Sequence, residues 1–423
     1  MLRIKKIILT YRFTLFLIIF FLLITRIFYI LEGLNEPRRI LESVSDAKEY
    51  HELALNLSEG KGFTRNGKFE TYRTPLFPFF LSIFYKLNKS PLTNFVINVI
   101  LSIILLIFSY KKMKKKSFYL FSIFFILSPN LNFHSLLPTA DFFFGFFLYF
   151  LYIFLKENRF LFSILILSLL PYIKPVALLL PLFLFMYFLI IREFKRAFFI
   201  LIFPLAISFV WVLIVYKNLG FLGFSSVIPV NFFSYYVPFS VSLKDKISFS
   251  EAREKMSDEL LKELGENFNE GDIYYGMIKI SLKELKRTFP EFLISHFIFS
   301  FNTLFSPISL KPLIVYFSGK DILRGVQQEF FGLFLKGKIL KGIEKIFKER
   351  IIFLGLKGIF ILLFSIFFHI LLLILFFKKL LKNFRDSFLL IFILFPLIFS
   401  TGILGDARLR VLFEVLLIYF TFS

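Results

Sequence analysis

The chain contains no cysteine, one tryptophan and only four histidines in 423 residues. Without cysteine there are no disulfides, thiolate metal ligands or thiol nucleophiles. His51, His134, His296 and His369 are scattered, and none pair at the short spacing of a helical zinc site. Acidic residues are also scarce: 29 Asp and Glu stand against 51 Lys and Arg, a formal net charge of +22. A surplus of that size raises the question of nucleic acid. No basic face with interleaved aromatics occurs away from the apolar runs, however, so nucleic acid is not an expected partner. The Lys and Arg blocks sit beside hydrophobic segments, where cytoplasmic membrane ends carry them. No internal repeat at a fixed period is visible, and no low-complexity tract beyond the apolar bias itself.

What is abundant is apolar. Hydrophobic residues make up 57% of the chain, 68 of them Phe, with a mean hydropathy of +0.77. Soluble domains use about 45–50% apolar residues. Runs of the length needed to cross a ~30 Å hydrocarbon core recur along the sequence. The expected fold class is an all-α polytopic membrane protein, one domain of about ten transmembrane helices. Spans are expected near 7–31, 93–110, 117–133, 142–155, 160–173, 176–191, a seventh ending near Tyr216, then 351–377, 387–403 and 409–422. The first lacks a small-residue cleavage site and is too long for a signal-peptide core, so it reads as a retained helix. The basic N-terminus and Lys111-Lys112-Met113-Lys114-Lys115-Lys116 set the orientation, with both termini cytoplasmic. Phe292–Phe305 is apolar but short. If it spanned, Lys378, Lys379 and Lys382 would lie outside, so it is read as not crossing.

Two long polar segments interrupt this pattern, both expected on the outer side. In the first, 32–92, Ser45 is a candidate cap for a helix beginning at Asp46, where an anion complements the helix dipole. Asp46, Tyr50, Leu53 and Leu57 fall on one helical face, and Gly60 is a plausible stop. That helix is too polar to span and belongs at the membrane surface. Lys61–Thr71 is turn-rich around Asn66-Gly67, and the run after Thr74-Pro75-Leu76-Phe77-Pro78 is only about ten residues, a second interfacial or re-entrant helix. The other segment, 217–350, contains charge-patterned helices over Glu251–Leu264 and Met277–Thr288.

The informative residues are those that break the charge rule. Arg73, Lys174, Arg408 and Arg410 sit at or near the outer boundary, where cations are costly without an anionic partner. Lipid headgroups, an ion pair such as Arg410 with Asp406 or Glu414, or a bound phosphate would each satisfy them. The i, i+2 spacing of Arg408 and Arg410 keeps them off one common helical face. Glu49 and Glu52 read as solvated helix charges, and His369 as a hydrogen-bonded interior group. Asp46 stands either as a helix-end acid or as a functional one; Asp141, at the start of the fourth span, is the weaker candidate.

Several pieces together resemble a family. Ser45-Asp46-Ala47-Lys48-Glu49-Tyr50, then Gly60-Lys61-Gly62-Phe63 and Arg73-Thr74-Pro75-Leu76-Phe77-Pro78, look like the first outer loop of GT-C membrane glycosyltransferases. The closest branch holds the protein O-mannosyltransferase-like and aminoarabinose transferase-like enzymes. Lys174-Pro175, Phe289-Pro290-Glu291-Phe292-Leu293 and Arg408-Leu409-Arg410-Val411-Leu412-Phe413-Glu414 match in order. The resemblance implies a GT-C-type bundle and transfer of a sugar from a polyprenyl-phosphate donor to a lipid, glycan or protein acceptor on the outer face of the plasma membrane. It makes Asp46 the general base. The outer cations Arg73, Lys174, Arg408 and Arg410 are then the expected donor-phosphate ligands, and Tyr50, Tyr72 and Asp141 the substrate-positioning residues. No cofactor and no metal are expected: the loop has no Asp-x-Asp. Asp46-Ala47 departs from the Asp-Glu often found in the mannosyltransferase branch, so the resemblance leaves the acceptor class open. The alternative is a transporter or flippase of lipid-linked saccharides, which would place ionisable groups near the bilayer midplane.

Overall fold

The computed structural model describes residues 2–265, 268–318 and 354–423, with residues 333, 340, 341 and 344 between the last two. These residues are almost entirely helical. A long α1 (Leu2–Asn35) leads through a single turn, α2 (Pro37–Glu42), to α3 (Ser45–Ser58). A two-residue turn then joins β1 (Thr64–Arg65) to β2 (Lys68–Phe69) in antiparallel register, Thr64 opposite Phe69. Asn66 (φ 53°) and Gly67 (φ 77°) both occupy the left-handed region that such a tight hairpin requires. There follow α4 (Leu76–Tyr85), α5 (Thr93–Lys112), α6 (Lys115–Leu127), the short α7 (Pro129–His134), α8 (Ala140–Lys156), α9 (Phe160–Ile173), α10 (Leu180–Ile190) and α11 (Phe194–Leu219). The second polar segment supplies α12 (Val227–Asn231), α13 (Val237–Asp245), α14 (Phe249–Leu264), α15 (Glu270–Arg287), α16 (Phe289–Phe305) and α17 (Leu310–Ser318). The chain closes with α18 (Gly355–Lys382), α19 (Phe384–Phe399) and α20 (Ala407–Phe422).

Four helical stretches among the described residues are long and apolar enough to cross a membrane: Phe13–Leu31, Thr93–Lys112, Phe194–Leu219 and Gly355–Lys382. Large apolar side chains remain uncovered along them, among them Phe16 and Phe20 on α1, Phe203 and Phe209 on α11, and Phe360 and Phe367 on α18. A water-exposed surface of that kind is unfavourable, whereas lipid tails solvate it without penalty. The protein is a helical membrane protein.

Other expected spans are shorter. The stretch expected as one span over 117–133 is α6, only 13 residues, which stops where Ser128 turns out of the helix and accepts a hydrogen bond from Leu131 N (3.2 Å) to start α7. The 160–173 and 176–191 segments are α9 and α10, linked by a 3-10 turn over Pro175–Leu179. The expected interfacial run is the ten-residue α4. α20 is the central element rather than a lipid-facing one: every residue from Val411 to Phe420 is buried. A helix apolar on all sides belongs in an interior, and α20 fits that rule. Gly145 of α8 explains how closely the two helices meet, since a Cβ there would stand 2.9 Å from Val411 O.

Charged side chains gather at both ends of the bundle. At one end Lys112 pairs with Glu157 (2.5 Å), Arg196 donates to Asn158 (3.1 Å) and Lys379 donates to the Ser423 carbonyl (3.2 Å). α8 runs from this end to the other over 17 residues, about 25 Å at 1.5 Å per residue. At that other end lie α3, the hairpin, the last turn of α9 and the first turn of α20. α14 and α15 pack beside them as an antiparallel pair laced by Lys283–Glu259 (2.5 Å). α16, containing Phe292–Phe305, buries one face against α19 and the turn before α20, through Ser300 to Phe399 O (2.9 Å) and Thr303 to Thr401 (2.8 Å).

Candidate active site

α3 begins at Ser45, one residue earlier than expected, and Ser45 does not cap it: the residue before the helix is Val44, with no side-chain cap. Asp46 is therefore free of the capping geometry, and its carboxylate is held by arginines instead. Gly60 follows the helix end in the left-handed conformation (φ 75°), as expected of a stop signal.

Asp46 stands at the middle of a row of alternating charges drawn from five parts of the chain. Glu70 pairs with Arg65 (2.8 Å), Arg65 with Glu49 (3.0 Å), and Glu49 with Arg73 (2.5 Å). Arg73 Nη2 reaches Asp46 Oδ1 at 2.7 Å, and Arg408 Nη2 takes the other oxygen, Oδ2. Arg408 Nε then donates to Asp141 Oδ2 (3.1 Å), whose second oxygen pairs with Lys174. Asp141 is fully enclosed, while Asp46, Arg73 and Arg408 keep 13%, 11% and 15% of their side chains exposed. The row thus opens to the outside at Asp46 and its two arginines, with Asp141 as its floor.

Each member is placed by a local cause. Lys174 precedes Pro175, which forces extended backbone (φ −148°, ψ 133°) and ends α9 there. Thr74 clips the first polar segment to that end by donating to Ile173 O (2.8 Å). Asp141 occupies the first turn of α8, where the helix dipole favours an anion. Arg408 lies in the first turn of α20, its backbone N–H donating to Ser309 Oγ (2.7 Å), which in turn donates to Asp406 (2.8 Å). Glu70 also receives the Tyr72 and Arg73 backbone N–H groups, at 2.5 and 3.2 Å, which ties the arginine's backbone to the hairpin. The Arg73 guanidinium lies 4.7 Å from the Tyr72 ring and 5.6 Å from that of Tyr50, which is itself buried edge-on against Phe77.

Burial by itself pushes the Asp46 carboxyl up. The Arg408 and Arg73 guanidinium groups and the Lys174 ammonium outweigh burial and hold it well below the usual carboxylate range. Arg73 is raised despite its own burial, by Asp46, Tyr50 and Glu49. Asp46 and Arg73 are thus both charged at neutral pH. In this paired state Asp46 is a weak base, because two cations stabilise its charged form.

An apolar groove of about 350 Å³ adjoins the row, lined among others by Pro75, Leu76, Leu169, Tyr172 and Trp211. Two of its lining residues are close in sequence to cations of the row: Pro75 is two residues from Arg73, and Tyr172 two from Lys174. Trp211 is fixed there by its indole N–H donating to Phe224 O (3.0 Å).

The structure brings together Asp46, Arg73, Lys174, Arg408 and Asp141, with Tyr50 and Tyr72 against Arg73. Arg410 is not among them. It is 1% exposed, pairs with Glu414 (3.0 Å), and donates to Pro307 O (2.9 Å) and Ser306 O, so it points into the helix packing. His369 is the interior group expected, its Nε2 donating to Leu304 O (2.7 Å). Glu49 corrects the expectation of a solvated charge: it bridges Arg65 and Arg73 and is four-fifths covered. Arg65 and Glu70 were not anticipated. The one available signal was that Glu49 lies three residues after Asp46 on the same helical face. Among the described residues no three His, Asp or Glu side chains converge as a metal site. No family model, curated protein or solved structure matches this chain.

Proposed function

We propose that this protein is a GT-C-type membrane glycosyltransferase that moves a sugar from a polyprenyl phosphate to a hydroxyl of a lipid, glycan or protein acceptor. One observation carries the reading: three cations converge on two carboxylates, and residues close in sequence to two of those cations line an apolar groove. Asp46 and Asp141 share Arg73, Lys174 and Arg408, and Glu49 on the far side of Arg73 brings this set to three anions and three cations. An isoprenoid tail suits the groove, and a phosphodiester can compete with the carboxylates for the two partly exposed guanidinium groups. The reading includes about ten membrane crossings, cytoplasmic termini, a plasma-membrane location and a site on the outer face.

The same geometry suggests how the base is released. A phosphate accepts bidentate hydrogen bonds from guanidinium as a carboxylate does, and competes for Arg73 and Arg408. As the arginines turn to the phosphate, Asp46 loses the partners that suppress its basicity. The acceptor oxygen then forms a bond to the anomeric carbon while its proton passes to Asp46. The bond from that carbon to the phosphate oxygen breaks, and the lipid phosphate leaves with the electron pair and a charge near −2. The displacement inverts the anomeric centre. A phosphate needs no acid to help it depart, unlike the alkoxide of a glycosidase substrate. The added negative charge falls where Lys174, Arg73 and Arg408 are fixed. A base positioned this way contributes roughly 10²–10⁴-fold.

The test is transfer from radiolabelled polyprenyl-phosphate hexose by the purified chain in detergent. Asp46→Asn is expected to abolish product while donor binding persists. Substantial residual turnover would remove Asp46 from the role of base. Flux of the donor across liposomes without product would replace the transferase with a transporter.

A further inference from the structure

The ion row handles charge, but nothing in it distinguishes one sugar from another. Beside it lies a feature that the row does not use. From Val227 to Asp245 the chain is one helical rod in which Phe232–Tyr236 form a π-helical turn between α12 and α13. Single π turns are uncommon and recur at functional positions, because the extra residue redirects the side chains that follow.

Both ends of this turn are anchored. At the start of the rod, Ser226 N donates to Thr71 O (3.1 Å) and Ser225 Oγ to Tyr72 O (3.0 Å), which ties it to the segment carrying Arg73. At the far side, Tyr236 donates to Ser400 O (3.1 Å) and meets the His296 ring edge-on (5.2 Å). Phe233 and Tyr236 are buried, while Tyr235 between them stays half-buried. The Arg253 guanidinium covers part of its ring from 5.7 Å. Tyr72 is half-buried likewise, with Arg73 over its ring. Neither phenol hydroxyl makes a hydrogen bond among the described residues. Burial pushes the Tyr72 phenol up to about 12 against the opposing Arg73 guanidinium, with Asp46 and then the Tyr235 phenol adding smaller rises.

We propose that Tyr235, presented by the π turn, and Tyr72 form a carbohydrate subsite that receives the sugar ring of the donor. An aromatic face carries partial negative charge and accepts the C–H-rich face of a pyranose, while each free hydroxyl can meet the sugar's own hydroxyls. The subsite rests on the transferase reading of the ion row, and gives that reading a residue that contacts the transferred group. Tyr72 sits next to the phosphate ligand Arg73, which is where a sugar attached to that phosphate would lie.

The experiment measures binding to the full chain in detergent of citronellyl phosphate, bare and carrying a glucosyl, mannosyl or arabinosyl group. The wild type is expected to bind at least one glycosylated form about ten-fold more tightly than bare citronellyl phosphate. Tyr235→Ala should bring that form down to the bare level and leave the bare compound unchanged, while Tyr235→Phe should keep most of the difference. The subsite is overturned if no glycosylated form gains over the bare phosphate, or if Tyr235→Ala changes neither compound, or both equally. Failure of the wild type to bind citronellyl phosphate at all would instead remove the transferase reading itself.

Discussion

Arg408 and Arg410 stand two residues apart in the same first turn of α20 and lead opposite lives. Arg408 reaches outward across three elements, to Asp46 of α3 and Asp141 of α8, and keeps 15% exposure. Arg410 turns inward to Glu414 one turn along its own helix and to the carbonyls that follow α16, and is sealed. Both are arginine–carboxylate pairs in a membrane protein. The difference lies in what an approaching anion can reach. At Arg408 the side chain is partly exposed, so under the proposed function a phosphate would exchange with a carboxylate there. At Arg410 any exchange would first have to unpack α16 from α20. An open pair is available for chemistry, and a closed one is available only for structure.

The sharpest way to break this comparison is to remove the sealed arginine. Arg410→Ala leaves Glu414 buried beside Ser128 and Asn130 with its charge uncompensated. The expected cost is roughly 3–5 kcal/mol, read as thermal unfolding in detergent. Replacing both partners, Arg410→Met with Glu414→Leu, should recover most of that loss. A single variant as stable as wild type would mean that the interior pair is not closed. At Arg408 the effect should divide the other way. Arg408→Gln should lower transfer by about 10²–10³-fold, as loss of a fixed transition-state donor does, with unfolding shifted far less than in Arg410→Ala. Equal losses of stability in the two variants would erase the distinction.

How far this could be read from sequence depends on the kind of contact. Arg73, Lys174 and Arg408 announced themselves, because a cation on the poorly basic side of a membrane protein demands a partner. The same rule could not separate Arg408 from Arg410, since it reports position along the axis and not direction around it. Helix spacing denied the two a shared face but could not say which face was closed. Apolar runs located the helices, yet hydrophobicity alone does not distinguish lipid from protein interior. α20 was therefore legible as a helix and not as the enclosed centre. The break at Ser128 was legible, because Pro129 disfavours helical backbone at the residue before it and a capping Ser followed by Pro is a helix-start pattern; what the sequence did not show is the short buried α7 beyond it. The hairpin pairings of Arg65, Glu49 and Glu70 depend on a turn that brings residues 49 and 70 together, and no periodicity records that.

Glu49 tests whether the open end needs its outer supports. It accepts from Arg73 Nε and from Arg65, holding the guanidinium plane while Nη2 serves Asp46. Glu49→Gln keeps the size and loses the charge that fixes Arg73. Donor binding should weaken by roughly ten-fold, about 1.4 kcal/mol, with the chemical step changed less than in Asp46→Asn. An unchanged affinity would make the outer half of the row a solvated surface feature after all.

The smallest effect concerns protons at the back of α3. His51 is partly buried, its Nδ1 in contact with the Tyr85 hydroxyl (2.7 Å), and burial lowers its pKa to about 4. An unfolded histidine titrates near 6.5. Between these values the unfolded chain binds a proton that the folded chain does not, so the stability His51 contributes is whole above pH 6.5 and is lost progressively as pH falls toward 4. The slope is at most about 1.4 kcal/mol per pH unit for one proton. Asp46, held far below the carboxylate range, has the same sign but stays ionised through this window, so it contributes no slope there until the unfolded carboxyl begins to titrate near 4. His51→Asn should therefore flatten part of the decline in unfolding temperature between pH 6.5 and 4.5 while leaving transfer at pH 7.5 near wild type. The Tyr85 contact lies on the packing side of α3, away from the Asp46 mouth. A variant that kept the full acid slope, or lost transfer at pH 7.5, would show that the two sides of this helix are not separable.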